Sequence, residues 1–352
     1  MERRDFLRGS AALGLAGLAG CMGMFETQSA SRGQFTTVED REEEVYYPTH
    51  TDGMAMLGMG GEGRYKVGLM YSIPHAFWTI TGTDTNLVQI GENEAAHLMA
   101  TIWDGETGTV LPTANVSAEI TKEGEPVDSR SLWPMLSQRM GYHFGDNVKL
   151  DGDGTYVAAL SVGAMQANGM GDLQGAFDEQ KTFEIEFEHT RQQVSNIPYE
   201  NLPDKRGTAG AVEPMDMDMP IARVPEHGDL PSVAAKGVSG DGDFVVFQPD
   251  ENPHFLGDDE TYLAVSARTP YNRYPLPFMS LSATLTRDGE TVFDDALNPA
   301  LDPDFGYHYG AGVSELRSGD SLTLTVDAPP QVSRHEGYET AFVQMPEMEL
   351  TV

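Results

Sequence analysis

The chain has 352 residues, with 55 acidic against 22 basic side chains, a formal net charge of −33 and one cysteine. Acid spread along the whole length repels phosphate backbones, which argues against nucleic acid as a partner and points to a halophile, where salt screens the self-repulsion. A single cysteine excludes an intrachain disulfide and any multi-cysteine zinc or redox site, so a metal has to be held by His, Met or carboxylate.

Residues 1–21 begin Arg3-Arg4-Asp5-Phe6-Leu7-Arg8, continue as an apolar run of Ala, Leu and Gly, and end Leu18-Ala19-Gly20-Cys21. This is the pattern of a twin-arginine export signal with a lipobox. The apolar run is too short to span a bilayer as a helix and is expected to be removed. Cys21 is expected to become the lipidated first residue of the mature chain. The expected location is extracytoplasmic, anchored to the outer face of the cell membrane. The competing reading of Cys21 is a buried free thiol in a small apolar helix.

Residues 22–62 lack a sustained apolar period, carry Met54, Met56 and Met59, and read as a flexible tether. From residue 63 to 189 short β-type runs follow one another: 65–71, 77–80, 97–102, 116–121, 155–162 and 183–187. Several alternate apolar with polar residues, and Gly, Asp, Asn and Pro punctuate them. Residues 190–240 turn Pro-, Gly- and Asp-rich around Met215-Asp216-Met217-Asp218-Met219 and read as an interdomain linker. Strand signals resume within 241–352, at 244–247, 262–266, 280–286, 321–326 and 348–352.

A phrase recurs across these two regions. Gly141-Tyr142-His143-Phe144-Gly145 returns as Gly306-Tyr307-His308-Tyr309-Gly310, and the same offset of 165 residues aligns 114–125 with 279–290. A gapless register over both stretches marks a duplicated domain. The fold expected is all-β, two tandem immunoglobulin-like β-sandwich domains, the second a degenerate repeat.

The first repeat carries His97-Leu98-Met99, then Trp133-Pro134-Met135, then His143 in a glycine-flanked loop phrase. Residues two apart in a strand face the same side, so His97 and Met99 can address one ligand. Imidazole with thioethers is a soft donor set that suits copper, above all Cu(I), and holds Fe(II) or Zn(II) when carboxylates assist. The competing reading is a core methionine filling a gap beside a hydrogen-bonded histidine. The Met-rich runs suit transient Cu(I) capture or are oxidisable filler. Asp151-Gly152-Asp153-Gly154 lacks the full spacing of a calcium loop and reads as a turn.

From His97 to Phe187 the sequence resembles the periplasmic iron-transport protein family, whose members are immunoglobulin-like, bind copper or other divalent metals and assist iron uptake. The family pattern is a His-x-Glu on an early strand, a Met-Pro-Met phrase, a His-Tyr-Gly leading into Asn-Val-Lys-Leu, and a late-loop histidine. The resemblance places the early histidine at His97, the methionine at Met135 and the loop histidine at His143, ahead of Asn147-Val148-Lys149-Leu150. The acid of His-x-Glu is Met99 here, which implies a softer site that favours copper over Fe(II). The late-loop histidine is missing from repeat one, where Gly169-Met170-Gly171 stands, and present in repeat two as His335. In repeat two His97 maps to Tyr262, Met99 to Ala264 and Met135 to Ala300.

Members of that family associate as dimers. The resemblance therefore implies that repeat two packs on repeat one as an intramolecular pseudo-dimer, with His335 completing a site of His97, Met99, Met135 and His143. The function expected is an exported lipoprotein, of a tandem-duplicated haloarchaeal form, that binds copper or iron and assists Fe2+ or copper uptake with an iron permease or metal transporter. No nucleophile–base pairing or phosphate loop stands out, so catalysis is not indicated. The competing functions are a structural or adhesive surface module without metal, and an oxidase acting on Fe(II) or Cu(I).

Overall fold

A computed structural model describes residues 38–352 except 113, 114 and 258. The twin arginines and Cys21 lie outside the described residues. Among the described residues no helix is long and apolar enough to cross a membrane.

The first repeat is built from β1 (Ala55–Glu62), β2 (Tyr65–Ser72), β3 (Phe77–Thr81), β4 (Glu94–Asp104), β5 (Val116–Lys122), β6 (Glu125–Ser137), β7 (Gly141–Lys149), β8 (Gly154–Val162) and β9 (Lys181–His189). The second contains β10 (Val233–Ser239), β11 (Gly242–Phe247), β12 (Thr261–Arg268), β13 (Ser280–Arg287), β14 (Glu290–Asp302), β15 (Gly306–Val313), β16 (Ser321–Ala328), β17 (Ser333–Arg334) and β18 (Met348–Thr351). The main strand order of the first is β9-β8-β5-β6-β7-β4-β2-β1, and that of the second is β18-β16-β13-β14-β15-β12-β11-β10. The two orders correspond strand for strand, so the duplicated sequence folds as two tandem sandwiches of one topology.

Each sandwich turns its corner on one long strand. Residues Val116–Lys122 pair with the N-terminal part of β6, and β7 pairs with Trp133–Ser137 at its C-terminal end. Alternation sets the faces: in β8 Tyr156, Ala158, Leu160 and Val162 point inward, and in β9 Phe183, Ile185 and Phe187 do so. Burying such side chains contributes about 1.5–3 kcal/mol each. One contiguous cluster includes Leu98, Tyr142 and Leu160 of the first repeat with Phe244, Tyr309 and Tyr338 of the second, so the repeats share a core.

The repeats also exchange short strands reciprocally. Ser333 and Arg334 pair in parallel with Met135 and Leu136 on β6, while Asn168 and Gly169 pair in parallel with Ala300 and Leu301 on β14. His335 N donates to Leu136 O at 3.2 Å, and Met170 N donates to Leu301 O at 2.9 Å. Every partner in one exchange lies 165 residues from its counterpart in the other. This mutual use of one surface by both copies is the signature of an isologous twofold contact.

Three stretches depart from the sequence reading. The segment read as a tether supplies β1, which pairs with β2 from Ala55↔Tyr71 to Glu62↔Tyr65, and buries Val45 and Tyr46. Its alternation is masked by glycines and methionines, so no apolar period shows. The stretch read as a linker packs too: Val212, Met219, Ala222 and Val224 are buried. His143 lies within strand β7, not in a loop. Strands β6, β7, β14 and β15 lacked a clear sequence signal because their runs are interrupted by Pro, Gly and Asp.

Candidate metal centre

The repeated Gly-Tyr-His phrase has a local cause. Gly141 adopts φ 65° and Gly306 φ 70°, a left-handed conformation open to glycine without steric cost. The chain thereby presents the glycine carbonyl to the imidazole two residues on: His143 Nδ1 lies 3.1 Å from Gly141 O, and His308 Nδ1 lies 3.0 Å from Gly306 O. A carbonyl only accepts, so each Nδ1 carries the proton and each Nε2 presents a lone pair.

The same logic fixes the other rings of the first repeat. Asn147 Nδ2 donates to His75 O at 2.9 Å, which leaves Asn147 Oδ1 as the acceptor 3.0 Å from His97 Nδ1. His97 is therefore protonated on Nδ1 and bare on Nε2. His75 Nδ1 donates to Ile73 O at 3.0 Å, so its Nε2 accepts from His335 Nδ1 at 3.1 Å, and His335 in turn has a bare Nε2. The Nε2 atoms of His97, His143 and His335 are buried without a hydrogen-bond partner. Each such orphan costs about 1–3 kcal/mol, and a metal ion is the group that would satisfy all of them.

The rings converge. Candidate ligand atoms of His75, His97 and His335 lie within 4.8 Å of one another, and the His143 ring centre lies 5.3 Å from that of His335. Gly145 opens the remaining side: a Cβ there would sit 2.9 Å from His97 Nε2 and 3.1 Å from Met135 Sδ. The absence of a side chain on β7 is what lets imidazole and thioether face one space. Burial, reinforced by the neighbouring imidazoles, holds His97 and His335 well below the usual histidine range, and burial lowers His75 as well. Burial brings His143 down to about 4. All four rings are thus neutral at neutral pH, the form in which an imidazole can bind a metal.

A cavity of about 100 Å³ adjoins the cluster and is lined by His50, Asp52, Met54, His75, Met99, Met140, His143, His335 and Glu336, among others. Asp52 Oδ1 and Glu336 Oε1 are buried there without partners, while the other oxygen of each lies 3.5 and 3.6 Å from the His50 ring nitrogens.

The second repeat is the internal control. Tyr262 occupies the place of His97, and its hydroxyl lies 3.3 Å from His308 Nε2. Met170, at the place of His335, packs with Val245, Phe247, Tyr262, Ala264 and Ala300 in an apolar cluster. The site that lost its histidines is plugged, and its remaining imidazole is satisfied.

Of the residues singled out in the sequence, His97, Met135, His143 and His335 are brought together. Met99 lines the adjoining cavity and packs with other methionines, while Cys21 lies outside the described residues. Sequence reading missed His75, which sits in the β2–β3 connection, where the 165-residue register no longer holds: the pair Met70 and Met99 corresponds to Phe247 and Ala264, an offset of 177 on β2.

Residues 92–193 match the family described as Fe2+ transport protein, a span that holds His97, Met99, Met135 and His143. Residues 228–351, which hold His335, match a domain of unknown function. No curated protein matches the chain. Among solved structures it is similar to FetP of uropathogenic Escherichia coli in its as-isolated form, at 16% identity and a TM-score of 0.30, over 39% of this chain and 96% of that one. It is similar also to a copper-bound Glu-to-Gln variant of that FetP, at 17% identity and a TM-score of 0.30, over 39% of this chain and 97% of that one.

Proposed function

We propose that this protein captures a transition metal, copper in preference to Fe(II), in a site formed by His97, His143 and Met135 of the first repeat and His335 of the second. The chain then acts as an intramolecular pseudo-dimer in which repeat two contributes one ligand and has given up its own site. The observation that carries the reading is the contrast between bare Nε2 atoms on His97, His143 and His335 and the satisfied Nε2 of His308. Thioether and imidazole without a carboxylate on the strand at Met99 form a soft set, which favours copper.

The twin-arginine and lipobox pattern ending at Cys21 and the match of residues 92–193 to the Fe2+ transport family support a role at the outer face of the cell membrane. There the protein, held by its lipid, would hand metal to an uptake permease, with copper as cargo or as redox helper for iron. The test is elemental analysis of the full chain after copper, iron and zinc loading in high salt, beside His143→Ala. One tightly held Cu(II) per chain after aerobic loading, lost in the variant, is the expected result. No metal in either protein would leave the duplicated sandwich as a structural surface module.

A further inference from the structure

Six methionines gather in one place: Met54 before β1, Met70 on β2, Met99 on β4, Met140 between β6 and β7, and Met217 and Met219 from the interdomain stretch. Met70, Met99, Met140 and Met219 are buried, Met54 and Met217 half-buried, and among the described residues the other member of the cluster is Trp103. Met70 and Met99 pair directly across β2 and β4, and Met219 Sδ would stand 3.1 Å from a Cβ on Gly68, the β2 residue that lacks one.

Packing alone does not ask for this. A core needing only apolar volume is met by Leu, Ile, Val and Phe, with Met as an occasional gap-filler. The second repeat demonstrates the point within the same fold. There the cross-strand pair equivalent to Met70 and Met99 is Phe247 and Ala264, and the residue at the offset of Met140 is Phe305. Those positions pack with Val245, Leu230 and Ala300 as a hydrocarbon cluster that keeps one sulfur, Met170. The repeat that lost its histidines therefore also lost the thioethers at these positions.

Three of the methionines, Met54, Met99 and Met140, line the cavity shared with His75, His143 and His335. Asp216 and Asp218, both exposed, flank Met217. Thioethers carry no proton to displace, bind soft monovalent ions and give little to Fe(II) or Zn(II).

We propose that the methionine cluster is a second metal site, a thioether site for Cu(I) that adjoins the histidine site through the common cavity. Its binding does not depend on the histidine site. The exposed aspartates draw the cation in, the half-buried Met54 and Met217 meet it first, and the buried sulfurs of Met99, Met140 and Met219 hold it without any change in its oxidation state.

The experiment is an anaerobic Cu(I) titration of the full chain against a chromophoric Cu(I) chelator, with the methionine methyls 13C-labelled. It is run on the parent, on His97→Ala/His143→Ala, and on Met140→Leu/Met219→Leu, which keeps apolar volume. The histidine variant is expected to retain one Cu(I) and to show shifted methyl resonances for Met54, Met99, Met140 and Met219. The leucine variant is expected to lose Cu(I) affinity by about 10–100-fold while still binding Cu(II). Methyl resonances that stay unmoved when Cu(I) is added to the histidine variant would overturn the site and return these methionines to packing. That readout needs no methionine substitution. Loss of Cu(II) is read separately, so failure of the histidine site and of the thioether site are told apart.

Discussion

The Tyr262 hydroxyl lies 3.3 Å from His308 Nε2, whereas His143, the residue that His308 repeats, has an Nε2 with no partner. One hydroxyl thus separates a satisfied core histidine from one whose Nε2 is left bare. Tyr262→Phe should leave His308 bare and cost about 1 kcal/mol without adding a metal. Urea unfolding combined with elemental analysis checks both halves; a gain of bound copper would contradict the reading of repeat two as a plugged site.

Gly145→Ala introduces a methyl 2.9 Å from His97 Nε2 and 3.1 Å from Met135 Sδ. The backbone there is an ordinary strand, so the fold should survive while the ligands are pushed apart. Copper affinity is expected to fall by about 10–100-fold or more, measured by chelator competition, with near-UV circular dichroism unchanged. Parent-like affinity would place the metal away from this strand.

His335→Ala addresses the contribution of the second repeat. His335 is held by its backbone bond to Leu136 O and by its ring bond to His75, so its removal takes away a ligand without disturbing β6. Affinity should drop by about 10–100-fold, and His143→Ala should drop it at least as far. Were His335→Ala silent while His143→Ala abolished binding, the site would belong to repeat one alone.

Asn147 acts through its neighbours, accepting from His97 Nδ1 at 3.0 Å and donating to His75 O at 2.9 Å. Asn147→Ala frees the His97 tautomer and should weaken metal binding by about 10–100-fold. Because His97 Nε2 is then protonated in part of the population, the loss should shift the visible spectrum of bound Cu(II) as well as the affinity. A purely structural role would lower thermal stability and leave that spectrum unchanged.

Acid should destabilise the metal-free protein in a defined window. Burial brings His143 from the ordinary value near 6.5 down to about 4, so between these values the unfolded chain binds a proton that the folded chain refuses. Stability is fully present above pH 6.5 and declines as pH falls toward 4, with His143 contributing up to about 1.4 kcal/mol per pH unit. Unfolding midpoints of the parent and of His143→Leu, both metal-free, should converge in slope above pH 6.5 and differ below it. Equal slopes throughout would mean that His143 is not shielded.

The duplication and His143 were legible in the chain because one phrase recurs at a fixed offset, while His97, Met135 and His335 were legible through the resemblance of their motifs to the iron-transport family. The His143 phrase carries its own geometry: a left-handed glycine and a carbonyl two residues back orient the ring with no help from elsewhere. The acidic balance and the isolated Cys21 likewise belong to the chain alone. His75 was not legible, since its place in the site comes from Ile73 O, Asn147 and His335, groups up to 260 residues away in sequence.

Tertiary structure decided the rest. Sequence showed Met54, Met217 and Met219 as two separate runs in segments without apolar period, and only the packing of both segments onto β2 and β4 joins them with Met70, Met99 and Met140. The sequence suggested that His335 serves the first repeat; the parallel pairing of Ser333 with Met135 is what carries it there. Local composition sets strand, turn and tautomer, because those energies act over a few residues. Which imidazoles share one desolvated space depends on a twofold contact between copies of a domain, and that contact exists only once both copies have folded.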